Sequence, residues 1–225
     1  ELDTSQDSQK QLLTYLSIQE KMVEDLSSYS QEGNIDGCRN IIKRGVNINE
    51  VDSAGFLPLH YACSSGRIEV VQLLLEFGSD FTSYLTGMCP MVLAADGGHH
   101  EVIKILSSFG ANVNETGLAG TPPIVAAAKK GHIDAVQTLL SLGALPNSQD
   151  LDGNTALHLA AKLDKPVPLL RLLLLNGANS KILNGLGHNP LQIALNCLNV
   201  PAMEILGGNG LSNTQDNNNN NNDNN

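Results

Sequence analysis

Hydrophobic residues recur along this chain in short blocks with helical spacing, and the blocks themselves recur at a nearly fixed interval. The clearest block is GNTALHLAA at 153–161, and related blocks begin at Gly55, Gly87, Gly120 and Gly187. The five leading glycines are therefore 32, 33, 33 and 34 residues apart. A constant period in this range predicts stacked repeats rather than one globular core.

Each unit also contains a second, longer aliphatic stretch that lies between two further glycines. The glycines before these stretches are Gly66, Gly98 and Gly131, and those at their ends are Gly78, Gly110, Gly143 and Gly177. Because glycine adopts the left-handed turn that ends a helix at little cost, we predict two helices per unit, joined and ended at these glycines. Such a pair cannot bury its apolar face alone, so neighbouring units must stack.

The first helix of each unit has a recognisable start. Proline stands at its first predicted position in four units, where the missing amide proton costs little: Pro58, Pro90, Pro123 and Pro190. In the fifth unit we expect Thr155 to be the N-cap, with its hydroxyl accepting a hydrogen bond from an early backbone amide. The side chains expected to point into the stack are Leu59, Met91, Ile124, Leu157 and Leu191.

The pattern divides the chain into four segments. We predict a disordered segment at 1–8, a capping helix at 9–24 whose apolar stripe covers the first unit, and about six repeats at 25–208. Residues 209–225 include a run of asparagine that cannot form a core, and we predict a disordered tail there. Because the sequence begins at Glu1 without an initiator methionine, we expect it to be part of a longer protein.

Charge and cysteine content narrow the expected partners and compartment. The net charge of -10 repels phosphate backbones, so nucleic acid is not an expected partner. The four cysteines form no close C-x-x-C pair, which disfavours zinc and disulfides and favours the reducing cytoplasm or nucleus. No apolar run reaches the roughly 20 residues of a membrane span. We expect the isolated chain to be monomeric.

Patterns for catalysis and metal binding are weak. His60 and His158 recur at one repeat position, and no serine, cysteine or carboxylate accompanies them at a nucleophile's spacing. The segment DGGHHE at 96–101 contains metal-ligand side chains, but it surrounds the glycine joint of its unit. The segment DLDGN at 150–154 lacks the later glutamate of a calcium loop. We therefore predict no catalytic, cofactor or metal site.

The unit D-x-x-G-x-T-P-L-H-x-A-A-x-x-G-x-x-x-x-V-x-x-L-L-x-x-G-A-x-x-N resembles the ankyrin repeat, with copies at 150–179 and, with substitutions, at 52–80. The resemblance implies an all-α repeat solenoid, an ankyrin-repeat stack of antiparallel helix pairs with β-hairpin-like loops on one side. It also implies that His60 and His158 tie loop to helix through hydrogen bonds. The joint near Asp164 departs from the family pattern because it has no glycine, so we expect a rebuilt connection there.

In the ankyrin arrangement, residues beside the turn glycine and just before the inter-helix joint face the concave side. Leu85, Leu118 and Leu151 share one such position in three successive units, so stacking would align them as an exposed row. The alternative is that these leucines fold back onto neighbouring hairpins. The expected partner-binding residues are Phe56, Leu85, Met88, Leu118, Thr121, Lys129, Lys130, Leu151, Asp152, Asn154, Lys162, Leu186 and His188.

These features together predict a protein-interaction module that is not itself an enzyme. It would bind a partner protein or peptide on the concave hairpin and short-helix face. The alternative is a regulatory ankyrin domain that acts in cis on an enzyme domain of a longer parent chain. The resemblance also makes Asn114 a candidate for asparaginyl hydroxylation, because Leu106 lies eight residues before it.

Overall fold

In a computed structural model, the described part of the chain forms twelve helices and no strands. The structure describes the backbone of residues 3–82, 87 and 89–208, and the side chains of these from Ser8 onward. The helices are α1 (Asp3–Glu32), α2 (Ile35–Lys43), α3 (Pro58–Ser64), α4 (Ile68–Glu76), α5 (Pro90–Asp96), α6 (His100–Ser108), α7 (Pro123–Lys130), α8 (Ile133–Ser141), α9 (Ala156–Ala160), α10 (Val167–Leu175), α11 (Pro190–Asn196) and α12 (Val200–Leu206). The predicted fold class, an all-α repeat solenoid, is confirmed.

The odd-numbered helices form one layer and the even-numbered helices form the other. Within each layer a helix contacts the matching helix of the next unit, and each odd-numbered helix also contacts the even-numbered helix that follows it. Units therefore interact with their immediate neighbours, as in other repeat proteins. The hairpin loops lie between one even-numbered helix and the next odd-numbered one.

The core lies between the two layers and continues through all units. Leu59, Met91, Ile124 and Leu157 are fully buried, as the sequence pattern predicts. The alanine pairs at 94–95, 127–128 and 160–161 are also buried, and their small side chains let neighbouring helices approach closely. Leu191 is half-buried, and residues 3–82, 87 and 89–208 contain no further unit beyond α12 that could cover it.

The starts of the short helices follow the prediction in position. Proline is the first residue of α3, α5, α7 and α11, and Thr155 is the N-cap of α9. The Thr155 hydroxyl also lies 2.8 Å from Nδ1 of His158, with which Thr155 forms a capping box at the start of α9.

The residue after each joint glycine ties its unit to the preceding one. The bonds are Arg67 Nε to the Gln31 carbonyl (2.8 Å), His99 Nε2 to the Ser64 carbonyl (3.0 Å) and His132 Nε2 to the Asp96 carbonyl (3.0 Å). The His99 ring lies directly on Gly66, whose φ is +67°, so a side chain on that glycine would collide with the ring. Glycine is required there for space as well as for conformation.

The fifth joint is rebuilt in the way that its missing glycine predicts. Helix α9 has five residues, and no residue between it and α10 is left-handed. The Leu163 side chain lies near Gly131, where the earlier units place an arginine or histidine side chain. In the sixth unit Leu198 takes the left-handed position with φ +54°, and Asn199 Nδ2 donates to the carbonyls of Ala161 and Leu163 at 3.0 and 2.7 Å.

The N-terminal helix is longer than predicted. Helix α1 begins at Asp3, inside the segment 1–8 predicted to be disordered, and continues to Glu32, beyond the predicted cap at 9–24. The reason is local, because no glycine or proline interrupts the sequence before Gly33. Only its C-terminal part covers the first unit: Val23 and Leu26 are buried, whereas Leu12 and Leu16 are 57% and 47% exposed.

Asparagine side chains link successive hairpins in a set of bonds that we call the asparagine ladder. Asn49, Asn114 and Asn147 each stand four residues after a helix-ending glycine. The side-chain amide donates to the carbonyl of the next such glycine, from Asn49 to Gly78 (3.1 Å), from Asn114 to Gly143 (3.2 Å) and from Asn147 to Gly177 (3.2 Å). The Oδ1 atoms accept from the amides of Asp80 (2.8 Å), Leu145 (2.9 Å) and Asn179 (2.7 Å). Both ends of the Asn114 amide are thus bound to the next unit.

Candidate protein-binding surface

The tips of the last two hairpins have backbones fixed by a side chain at their base. Asp150 Oδ1 accepts from the amides of Asp152 and Asn154 at 3.0 and 2.8 Å. Asn184 Oδ1 accepts from the amides of Leu186 and His188, both at 3.0 Å. The two tips are joined directly, because the amide of Gly185 donates to the carbonyl of Asp152 at 2.8 Å. The backbone positions from which the side chains of these tips extend are therefore fixed.

Three leucines at successive hairpin tips are exposed. Leu118, Leu151 and Leu186 have 76%, 82% and 77% of their surface accessible. We call these three residues the leucine row. The predicted members Leu85 and Met88 lie outside the described residues, so the row is defined here by its C-terminal part.

Leu151 also contacts the preceding hairpin, which was the alternative to free exposure. A Cβ atom placed on Gly120 would lie 2.6 Å from Cδ2 of Leu151, so the Leu151 side chain lies on that tip. Gly120 has a φ of +63°, and it accommodates this contact because it has no side chain. Leu151 therefore agrees in part with both alternatives, exposure and contact with a neighbouring hairpin. One side of its side chain contacts the preceding hairpin tip, and most of its surface is exposed to solvent.

The predicted basic residues are all at the surface. Lys129 and Lys130 form the last turn of α7, where a helix C-terminus stabilises positive charge, and Lys162 follows α9. All three are exposed. The ion pairs in the described part of the chain both involve Glu101, so these lysines are not neutralised by acidic side chains.

The remaining predicted residues differ in their availability. Asp152 is exposed, whereas Thr121 and His188 are half-buried. Phe56 is also half-buried and makes edge contacts with the rings of His60 and Tyr61, at centroid distances of 6.0 and 5.7 Å. Part of the Phe56 surface is therefore used within its own unit.

Asn154 is predicted from the sequence to be a partner-binding residue on the exposed face, and this prediction is wrong. Its side chain is buried, and its Oδ1 accepts a hydrogen bond from Asn184 Nδ2 at 2.9 Å. Residues next to a turn glycine are exposed only where the neighbouring hairpin does not cover them, and here the following hairpin does. Asn154 therefore joins two hairpins, and its loss would leave the buried amide of Asn184 without its acceptor.

The two repeat histidines are structural ties, as the resemblance implies. His158 is fully buried, and its Nδ1 accepts from the Thr155 amide at 3.1 Å while Nε2 donates to the His188 carbonyl at 3.0 Å. This arrangement requires the neutral ring with its proton on Nε2. Burial lowers the pKa of His158, which favours the same neutral form. His60 makes the corresponding bond at the start of its own short helix, where its Nδ1 accepts from the Leu57 amide at 3.1 Å.

Other reactive side chains are mostly inside the stack. Cys38, Cys63 and Cys89 are buried, and burial raises the pKa of each thiol, whereas Cys197 is exposed. Across residues 3–82, 87 and 89–208, no group of three or more His, Cys, Asp or Glu side chains could hold a metal ion. In the same ranges, no helix combines the length and the apolar character needed to cross a bilayer.

A second exposed apolar surface lies outside the predicted set. On α1, Leu12, Leu13, Tyr15, Leu16 and Ile18 are each about half exposed or more. The sequence carries a signal for it, because the apolar stripe of α1 continues seven residues upstream of Met22 and Val23 to Tyr15 and Leu16. The stripe alone does not show where the first hairpin stops covering the helix.

Stacked helix pairs with a row of exposed side chains on their hairpins define a helical repeat protein with an open binding surface. A family model described as ankyrin repeats (3 copies) matches residues 26–117, 77–150, 108–174 and 124–221. The chain therefore belongs to the ankyrin-repeat family. Repeats of this family generally mediate protein–protein interactions and are typically non-catalytic.

Similar proteins match over short stretches. The Caenorhabditis elegans "Ankyrin repeat and LEM domain-containing protein 1 homolog" is 42% identical over 55 residues, which cover 24% of this chain and 8% of that protein. The human "Protein phosphatase 1 regulatory subunit 27" is 38% identical over 48 residues, which cover 21% of this chain and 31% of that protein. Its mouse counterpart is 35% identical over 48 residues, with the same coverage. The alignments thus span less than a third of each relative.

Proposed function

We propose that this chain is a protein-interaction module that holds a partner protein or peptide along the leucine row. The observation that carries the proposal is the exposure of Leu118, Leu151 and Leu186, each above three-quarters, on successive hairpins. Large apolar side chains in such a row cost solubility and contribute little to the core, whereas they are effective anchors for a partner. The fixed backbones of the last two tips limit the entropy lost on binding.

The charge of the neighbouring side chains narrows the partner. Lys129, Lys130 and Lys162 are exposed and without acidic partners, although the chain as a whole carries a net charge of -10. A partner segment with apolar anchors and acidic residues beside them would complement this combination. The lysines would mainly set the rate of association and its salt dependence.

We further propose that the module has no catalytic activity of its own. The observation in support is that the repeat histidines are used for structure. In His158 both ring nitrogens are engaged by the backbone, and burial keeps the ring neutral. His60 has its Nδ1 engaged in the same way.

The experiment compares two doubly substituted chains in affinity capture from a lysate, with retained proteins quantified by mass spectrometry. One chain carries Leu151→Ser and Leu186→Ser, and the control carries Leu145→Ser and Leu175→Ser, which alter leucines that are 60% and 78% exposed outside the row. We expect a protein that the parent and the control retain and the row variant loses. Equal retention by all three chains would remove the leucine row from the binding surface.

A second candidate function is regulatory. Two aligned relatives are named as regulatory subunits of protein phosphatase 1, and this favours a module that modulates an enzyme, in trans or in a longer parent chain in cis. The test is the activity of a protein phosphatase 1 catalytic subunit with increasing amounts of the chain. A change in activity that the row variant lacks would support regulation through the same surface, and no change at any concentration would count against this enzyme as target.

A further inference from the structure

The N-terminal part of α1 extends past the unit that it covers. Met22, Val23 and Leu26 are buried against the first repeat, whereas Tyr15 and Leu16, seven residues upstream of Met22 and Val23, are 58% and 47% exposed. These two residues continue the same apolar stripe, because positions seven apart share one face of a helix. A face that packs against protein along one half of the helix is therefore left uncovered along the other.

This uncovered face forms one wall of a groove, and the first hairpin forms the opposite wall. The groove has a volume of about 1010 Å³. Its apolar lining comes from Tyr15, Leu16, Val23 and Val51, and Asn47 also lines it. We call this feature the α1 groove. Its volume is at the upper end of the roughly 300–1,000 Å³ that is typical of ligand sites in proteins.

The α1 groove is negatively charged. Glu20, Glu24 and Glu50 line it and are exposed, with Lys21 as the basic lining residue. The ion pairs of the described residues both involve Glu101, so these three carboxylates are not neutralised by basic side chains. Glu24 accepts a hydrogen bond from the Ser53 amide of the first hairpin at 2.7 Å, and Glu50 accepts one from the Asn47 side chain at 3.1 Å.

The negative charge also acts on a neighbouring group. Burial, a hydrogen bond to Asp52 and the charges of Asp52 and Glu24 together raise the pKa of Tyr61 to about 12. Asp52 is itself a lining residue, although its side chain is mostly buried and its Oδ1 accepts from two amides of the hairpin tip. The groove thus combines apolar walls with an excess of carboxylate.

We propose that the α1 groove binds a basic amphipathic helix of a partner protein, at a site separate from the leucine row. The apolar residues of such a helix, spaced three or four apart, would contact Tyr15, Leu16 and Val51, and its lysines or arginines would face Glu20 and Glu50. The charge of the groove argues against a second copy of this chain as the occupant, because each copy carries a net charge of -10. The two surfaces therefore select opposite partners, with an acidic segment at the row and a basic one at the groove.

The test uses a fluorescein-labelled peptide of about 14 residues, or four helical turns, built from Lys-Leu-Leu-Lys repeats, with fluorescence anisotropy as the readout. The control peptide has glutamate in place of every lysine. We expect the full chain to bind the basic peptide and not the acidic one, with weaker binding as salt rises from about 0.05 to about 0.3 M. Equal binding of the two peptides would overturn the proposal.

Substitutions in the protein then locate the binding site. Glu20→Lys with Glu50→Lys reverses the charge in the groove, and Glu76→Lys with Glu204→Lys makes the same change in net charge on exposed residues of α4 and α12. We expect the groove variant to weaken binding of the basic peptide about tenfold more than the control variant does. Circular dichroism checks that both variants remain folded.

The other outcomes would overturn the proposal in distinguishable ways. If both charge variants weaken binding equally, the peptide responds to net charge and not to the groove. If Leu151→Ser with Leu186→Ser abolishes binding instead, the peptide occupies the leucine row. If light scattering shows a dimer of the free chain that the groove variant dissociates, the occupant is a second copy. None of these results affects the capture experiment on the leucine row.

Discussion

The asparagine ladder is interrupted between Asn49 and Asn114, and this gap allows a sharp prediction. Thr82 stands four residues after Gly78, where three other units have asparagine, and its amide and hydroxyl both donate to Asp80 of its own unit, at 2.7 Å each. A cavity of about 110 Å³ lies there, lined by Thr82 and, from the next unit, by Gly110 and Asn112. Replacing Thr82 by Asn should supply the missing rung, with Nδ2 donating to Gly110 and Oδ1 accepting from Asn112.

The size of the effect follows from the rungs that exist. A net hydrogen bond contributes about 0.5–1.5 kcal/mol, so two bonds would contribute about 1–3 kcal/mol. Asn49 and Asn147 are exposed, so water competes for the same groups and the lower end applies. We therefore expect Thr82→Asn to stabilise the stack by about 1 kcal/mol.

Urea unfolding followed by far-ultraviolet circular dichroism measures this change. The matched control is Asn114→Thr, which makes the opposite exchange at the equivalent position and removes bonds of 3.2 and 2.9 Å. The first variant should raise the unfolding midpoint and the second should lower it by a similar amount. If Thr82→Asn leaves the midpoint unchanged while Asn114→Thr lowers it, the Gly110 carbonyl and the Asn112 amide of the next unit are not within hydrogen-bonding reach of position 82. If neither variant moves it, the rungs carry no net stability.

Three further changes test other parts of the stack. Because burial lowers the pKa of His158, the unfolded chain binds a proton more readily than the native one, so stability should fall as pH drops below about 6.5. In the variant His158→Gln the side chain keeps a hydrogen-bond acceptor, like Gln192 in the next unit. The urea unfolding midpoints at pH 7 and pH 5 should therefore differ less in this variant than in the parent chain. An unchanged difference would show that His158 does not cause the pH dependence of stability. Leu198→Gly should stabilise the chain by about 0.5 kcal/mol and raise the melting temperature, because glycine adopts the left-handed conformation without the strain that leucine has there. A lower melting temperature would contradict the presence of backbone strain at Leu198. Leu139→Ala should lower the free energy of unfolding, measured with urea, by about 2–5 kcal/mol, because Leu139 is fully buried. Leu140→Ala should lower it less, because Leu140 is only half-buried. Similar losses in the two variants would contradict this assignment of burial.

The parts of the fold that could be predicted depend on local backbone chemistry. Proline at the first turn of α3 and a left-handed glycine at Gly66 are determined by the residue's own conformational range, so sequence and structure agree there. The same reasoning predicts that α9 and α10 cannot be joined in the usual way near Asp164. It does not reveal that Leu198, rather than a glycine, takes the left-handed position in the last unit.

The parts that could not be predicted depend on neighbours distant in sequence. Asn154 and Leu151 both lie within two residues of Gly153, yet Asn154 is buried by the next hairpin and Leu151 is exposed, and only the packing of the hairpins decides this. The length of α1 is local, but the extent of its coverage depends on the reach of the first hairpin. The ladder was readable in principle from the spacing of Asn49, Asn114 and Asn147, but the interruption at Thr82 hides the period.

The rungs of the ladder run along the axis of the stack, so they also determine how the molecule would respond to mechanical load. A pulling force between the two ends passes through every interface in series, and each interface carries the whole of it. The strength of the assembly is then that of its weakest interface rather than the sum of all. The interface after Thr82, with a cavity in place of a rung, is the one we expect to part first, and it would leave two shorter stacks, each with a newly exposed apolar face.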